Sequence, residues 1–127
     1  MLGLMRNRFA PHIDFTFLKG AVSLNPKVIP SNIDMVYERK GKFLFGEWKK
    51  EGENISLGQE ILLKKLAKHH MVLLITGDTS PKVNIHSIHQ VTEHGMMECG
   101  RTEDDLKNII NQWYEEASYV RPCRDDY

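Results

Sequence analysis

Three side chains able to do chemistry together, Asp34, Glu47 and Lys49, lie on two segments joined by one short turn. Segments 33–39 (IDMVYER) and 43–49 (FLFGEWK) are rich in β-branched and aromatic residues. They flank Lys40-Gly41, where glycine suits positive φ, so they predict a β-hairpin. A two-residue turn pairs Arg39 with Lys42, and the same register sets Val36 opposite Phe45 and Asp34 opposite Glu47. A period of two then adds Lys49 to the face of Glu47, beside Val36, Phe43 and Phe45. Directly opposed carboxylates, with Cβ atoms about 4.5–5.5 Å apart, destabilise a sheet unless something compensates. A divalent cation would do so. Mg²⁺ or Mn²⁺ prefers carboxylate, carbonyl and water oxygens, so Asp34, Glu47 and the Trp48 carbonyl make a plausible open site. Water activated there could attack a phosphodiester, with Lys49 orienting it, deprotonating it or binding a phosphate oxygen. A three-residue turn would shift the register by one and separate the carboxylates.

Around these residues, Ile29-Pro30-Ser31-Asn32-Ile33-Asp34 followed by Phe45-Gly46-Glu47-Trp48-Lys49 resembles the PD-(D/E)XK nuclease superfamily. In its VRR-NUC and Holliday-junction-resolvase-like branches, a polar loop and a helix opening with Gln follow the E-x-K strand. Leu57-Gly58-Gln59-Glu60 stands at that place, and the apolar run Met71 to Thr76 follows as the next strand would. The resemblance covers residues 29–77. It implies a restriction-endonuclease-like fold, Asp34 and Glu47 as metal ligands, Lys49 as the catalytic lysine and Gln59 placing water or phosphate. It also implies Mg²⁺ or Mn²⁺ as cofactor, DNA as substrate and a homodimer. Two features depart from the family pattern. The proline stands four residues before Asp34, and no upstream glutamate-bearing helix is evident. Asp14 is the only acidic residue before Asp34, so either it substitutes or the site uses fewer carboxylates. For Gln59 a second reading stands beside catalysis, because Ser56-Leu57-Gly58-Gln59 is itself a capping box.

The remaining chain supplies elements to hold this hairpin. Residues 12–18 (HIDFTFL) alternate as a half-buried strand would, and residues 56–69 show apolar positions at helical spacing. Met71 to Thr76, nearly all apolar and ended by Gly77-Asp78, suits a central strand covered on both faces. Val83 to Val91 alternates as a flanking strand, and Leu106, Ile109, Ile110, Trp113 and Ala117 form the apolar stripe of a helix from Thr102 to Ala117. Residues 118–127 are polar and expected to be loose. The expectation is an α/β fold, a single domain over residues 1–127 with a mixed sheet flanked by helices.

Composition bounds the partners. At 41% hydrophobic and 27% charged the chain suits one soluble globular domain, and no apolar run approaches a membrane span. Net charge is zero but uneven, +4 over residues 1–42, 0 over 43–97 and −4 over 98–127, so bulk positive charge does not hold nucleic acid here. Lys40 and Lys42 at the hairpin tip are candidate DNA contacts. Lys64 and Lys65 either border the duplex backbone or form a solvated face in which Glu60 pairs with Lys64. His86, His89, His94 and Cys99 match no standard zinc spacing, and His69-His70 suits a helix C-terminus that favours positive charge. Two cysteines, Cys99 and Cys123, make no disulfide framework, and no secretory signal opens the chain, so a cytoplasmic protein is expected. The reading is a metal-dependent DNA nuclease, structure-selective or helped by a protein partner because so short a chain has little surface for reading sequence. The alternative is a non-catalytic nucleic-acid-binding or assembly module of the same fold.

Overall fold

The computed structural model describes residues 14–119, and contacts divide the chain into two compact units, Met1–Asn32 and Ile33–Tyr127. In the first unit, residues 15–18 form a 3₁₀ turn rather than the expected strand. Asp14 Oδ1 accepts a hydrogen bond from the Thr16 N–H at 3.0 Å, and this local bond displaces the sheet ladder the alternation suggested. It also holds the Asp14 carboxyl below its ordinary range. The first residues of the expected strand, His12 and Ile13, lie outside the described residues, as does Cys123.

The second unit is an α/β arrangement built on a five-stranded mixed sheet in the order β1-β2-β3-β4-β5. Its strands are β1 (Met35–Arg39), β2 (Lys42–Lys49), β3 (Met71–Asp78), β4 (Asn84–Thr92) and β5 (Gly95–Gly100). Helix α1 (Leu57–Leu66) joins β2 to β3, a crossover that makes those two strands parallel, and α2 (Glu103–Tyr119) closes the unit. The hairpin turns on Lys40 (φ 51°) and Gly41 (φ 82°), two left-handed residues whose turn matches the twist of the strands. Its register is the one expected, with Arg39 opposite Lys42 and Val36 opposite Phe45. β5 has no counterpart in the sequence reading, because Glu93-His94 is not a favoured hairpin dipeptide and GMMECG does not alternate.

The sheet has two differently covered faces. Leu44, Leu73, Ile75, Ile85 and Ile88 meet the Trp113 and Ala117 side of α2, whereas Val72 and Val91 meet Leu63 of α1. Each fully buried side chain of this kind contributes about 1.5–3 kcal/mol. A bulge between Thr76 and Gly77 lets Ile85 and Ile88 enter one core although simple alternation separates them. A Cβ on Gly77 would collide with the backbone oxygen of Asn84 at this bulge. Gly77→Ala is therefore expected to cost about 2–3 kcal/mol, read as a lower denaturation midpoint at unchanged slope.

α2 runs on to Tyr119, so residues 118 and 119 are ordered helix rather than loose tail; residues 120–127 lie outside the described residues. Arg39 Nε donates to Ser118 Oγ at 2.9 Å and Lys40 Nζ donates to the Ser118 carbonyl at 2.9 Å, tying the hairpin tip to the end of α2. α1 ends at Leu66, before the expected His69. His70 is not a charged helix end: its ring stands edge-on to Phe43 and Phe45, and its Nδ1 accepts the Phe43 N–H at 3.3 Å. Burial holds its pKa below the ordinary histidine value, as an acceptor nitrogen requires. No helix among the described residues is long and apolar enough to cross a membrane.

Candidate active site

The site starts from where β1 begins. Since β1 opens at Met35, Asp34 sits just beyond the paired residues, free to turn its carboxylate onto the edge of β2. Asp34 Oδ2 accepts the Trp48 N–H at 2.8 Å. The N–H and C=O of a strand residue point to one edge, so the Trp48 carbonyl is directed toward the same side as Asp34. The Trp48 indole leaves in the other direction, packs in the core under α2 and donates from Nε1 to the Gly77 carbonyl at 3.2 Å. That anchor fixes the strand between Glu47 and Lys49.

Glu47 is buried, with only 5% of its surface exposed, and hydrogen-bonds the carboxyl of Asp34. Its Oε2 is the one buried side-chain oxygen among the described residues that has no partner. Burial, reinforced by the Asp34 hydrogen bond and charge, pushes its pKa up to about 8, against the opposing influence of Lys49 and a hydrogen bond from Gln59. An acid so placed keeps its proton at neutral pH unless a cation offsets the charge.

Gln59 reaches this cluster from α1. Its backbone N–H is capped by Ser56 Oγ at 3.1 Å, so the N-cap read from the sequence is present. Its side chain lies next to the Glu47 carboxyl and acts to lower its pKa, so the two readings of this residue involve different atoms, the main chain for the cap and the amide for the site. Gln59→Glu should therefore leave the helix intact, since the cap acceptor is Ser56, while adding a third carboxyl next to Glu47. The expected result is a folded protein whose Glu47 titrates still higher and whose metal-dependent activity falls. Melting temperature and activity on one sample check both halves.

Asp34, Glu47, Lys49 and Gln59 thus lie together, brought there by the residue before β1, by β2 and by α1. Other candidates do not join them. Lys40 and Lys42 lie at the hairpin tip, five residues of β2 or roughly 16 Å from Glu47, and Lys40 is spent on the end of α2. The antiparallel hairpin puts its tip and its open end at opposite ends of the sheet, so any contact these lysines make with a polyanion is remote from the carboxylates. Lys64 pairs with Glu60 at 2.9 Å, the solvated-face reading, and Lys65 lines a cavity of about 230 Å³ with Ile61, Lys68 and His94 on the flank of α1. His86 is engaged by Glu51 and Asp78. No group of three or more His, Cys, Asp and Glu side chains placed to hold a metal occurs among the described residues. The donor set at the candidate site is two carboxylates and a carbonyl, which suits a hard cation that keeps several waters. Comparison of this chain with protein-family models, with curated proteins and with solved structures returned no match.

Proposed function

We propose that this protein is a divalent-metal-dependent nuclease that hydrolyses DNA phosphodiester bonds, a member of the PD-(D/E)XK superfamily. The observation that carries the reading is Glu47: a buried carboxyl, stacked against a second carboxyl, with one oxygen unpartnered and a lysine on the same face. A buried carboxyl beside a second one is costly unless protonated or offset by a cation, and strongly shifted groups of this kind concentrate at functional sites. Asp34, Glu47 and the Trp48 carbonyl would hold Mg²⁺ or Mn²⁺. When bound, the ion supplies Lewis-acid polarisation of the phosphoryl group and lowers the pKa of water. Gln59 would orient Glu47 through its amide. Lys49 offers its ammonium to a phosphate oxygen and to the charge that develops on it, or in its neutral form takes a proton from the attacking water. A homodimer, a targeting partner and a cytoplasmic location belong to the same proposal.

The test is a panel of branched, duplex and single-stranded DNA and of RNA, each incubated with Mg²⁺ or Mn²⁺. Cleavage of at least one substrate is expected, together with a rise in melting temperature on adding Mn²⁺ that disappears in Asp34→Asn. Binding without cleavage, and without thermal stabilisation by either metal, would favour the non-catalytic module.

A further inference from the structure

The sheet face that carries Glu47 is ordered in rows. Strand register places Phe45, Val72 and Val91 side by side, and this apolar row lies under Leu63, Leu66 and Ala67 of the α1 side. The next row is Glu47, Leu74 and His89, one apolar residue between two polar ones. The third is Lys49, Thr76 and Ser87, wholly polar, on three successive strands. The face therefore changes from hydrophobic to hydrogen-bonding within four residues of each strand. The polar row begins at the residue next to the carboxylates and leads away from β1 across the sheet.

We propose that Lys49, Thr76 and Ser87 form a track for the phosphodiester backbone of a polynucleotide, with the two hydroxyls contacting phosphates next to the one that is cut. The inference rests on the nuclease reading for its scissile phosphate, but the track itself is a binding surface. Adjacent strands are about 4.8 Å apart, so Lys49 and Ser87 are roughly 10 Å apart. Thr76 and Ser87 are half-buried, held on paired strands rather than loops, and offer donors without the entropy of a long side chain. Hydroxyls are also sequence-blind, since phosphate contacts set position and carry no base information. Beyond this row along the strands stand Glu51 and Asp78, whose carboxylates lie 2.7 and 3.2 Å from the two ring nitrogens of His86. His86 is raised above its ordinary pKa, first by the Glu51 hydrogen bond.

Binding of fluorescent oligonucleotides by fluorescence anisotropy in EDTA tests the track without any cleavage. Single-stranded DNA, single-stranded RNA and duplex DNA are separate arms, and the tightest identifies which backbone the track takes. Thr76→Val combined with Ser87→Ala is expected to weaken binding by about tenfold or more in that arm without altering the slope against salt, because hydroxyls release no counterions. Lys49→Ala should instead reduce the salt slope by about one. Thr76→Ser, which keeps the hydroxyl, should bind as wild type, and equal melting temperatures exclude misfolding as the cause. Wild-type affinity in the Thr76→Val, Ser87→Ala protein overturns the track, as does a wild type that binds none of the three oligonucleotides. Track-dependent binding by a protein that cuts nothing keeps the track and rejects the nuclease reading.

Discussion

Glu47→Gln is expected to abolish metal-dependent cleavage, by about 10³-fold or more, while making the metal-free protein more stable at alkaline pH. The loss of activity follows from replacing an anionic oxygen ligand by a neutral amide, which forfeits several kcal/mol at a step where each 1.4 kcal/mol is about tenfold. The gain in stability follows from the pKa. Glu47 is raised from 4.5 to about 8, so between those values the folded chain holds a proton that the unfolded chain has released. Stability of the wild type must then fall as pH rises through that window and level off above it. The variant has no such group. The difference between the two should widen by about 2–4 kcal/mol from pH 5 to pH 8 and then stay constant, the shift being worth about 1.4 kcal/mol per unit before discounting for relaxation. Urea denaturation in EDTA at pH 5, 6.5, 8 and 9 reads this directly. A gap that does not change with pH removes the buried, protonated Glu47, and full cleavage by the variant removes the site assignment.

Lys49→Ala is expected to lower kcat by about 10²–10⁴-fold, the range of a lost general acid–base or charge-stabilising group, with a small effect on KM. Lys40→Ala combined with Lys42→Ala should leave kcat and KM near wild type and lower the melting temperature slightly, because Lys40 is bonded to the end of α2 and the tip is far from Glu47. The two tip lysines and Lys49 share one hairpin, so this comparison separates charge in general from charge at the carboxylates. An active Lys49→Ala protein alongside a tip variant of impaired turnover would mean that the chemistry lies at the other end of the sheet.

The hairpin was legible because local rules decide it. Lys40-Gly41 between alternating segments specifies a two-residue turn, and the turn fixes the register from Arg39 opposite Lys42 to Met35 opposite Gly46, which brings Asp34, one residue before the paired strand, next to Glu47. Met71 to Thr76 was legible as a central strand for a similar reason, since only a strand covered twice can be apolar at every position. The period of Leu106, Ile109, Ile110, Trp113 and Ala117 likewise announced the face of α2 that enters the core.

Tertiary structure decided what depends on neighbours distant in sequence. Whether Phe15 and Phe17 extend or coil was settled by the Asp14 cap, and alternation over seven residues carries no information about that competition. That the Gln59 amide lies next to Glu47, twelve residues earlier, is visible only when α1 is placed beside β2. The bulge at Gly77, the row of Lys49, Thr76 and Ser87, and the Glu51–His86–Asp78 cluster all arise from pairing between β2, β3 and β4. No spacing along the chain encodes such pairing. Most of all, the charge state of Glu47 belongs to the fold: the sequence places a glutamate opposite an aspartate, but only burial within the assembled sheet and helix makes it an acid at neutral pH.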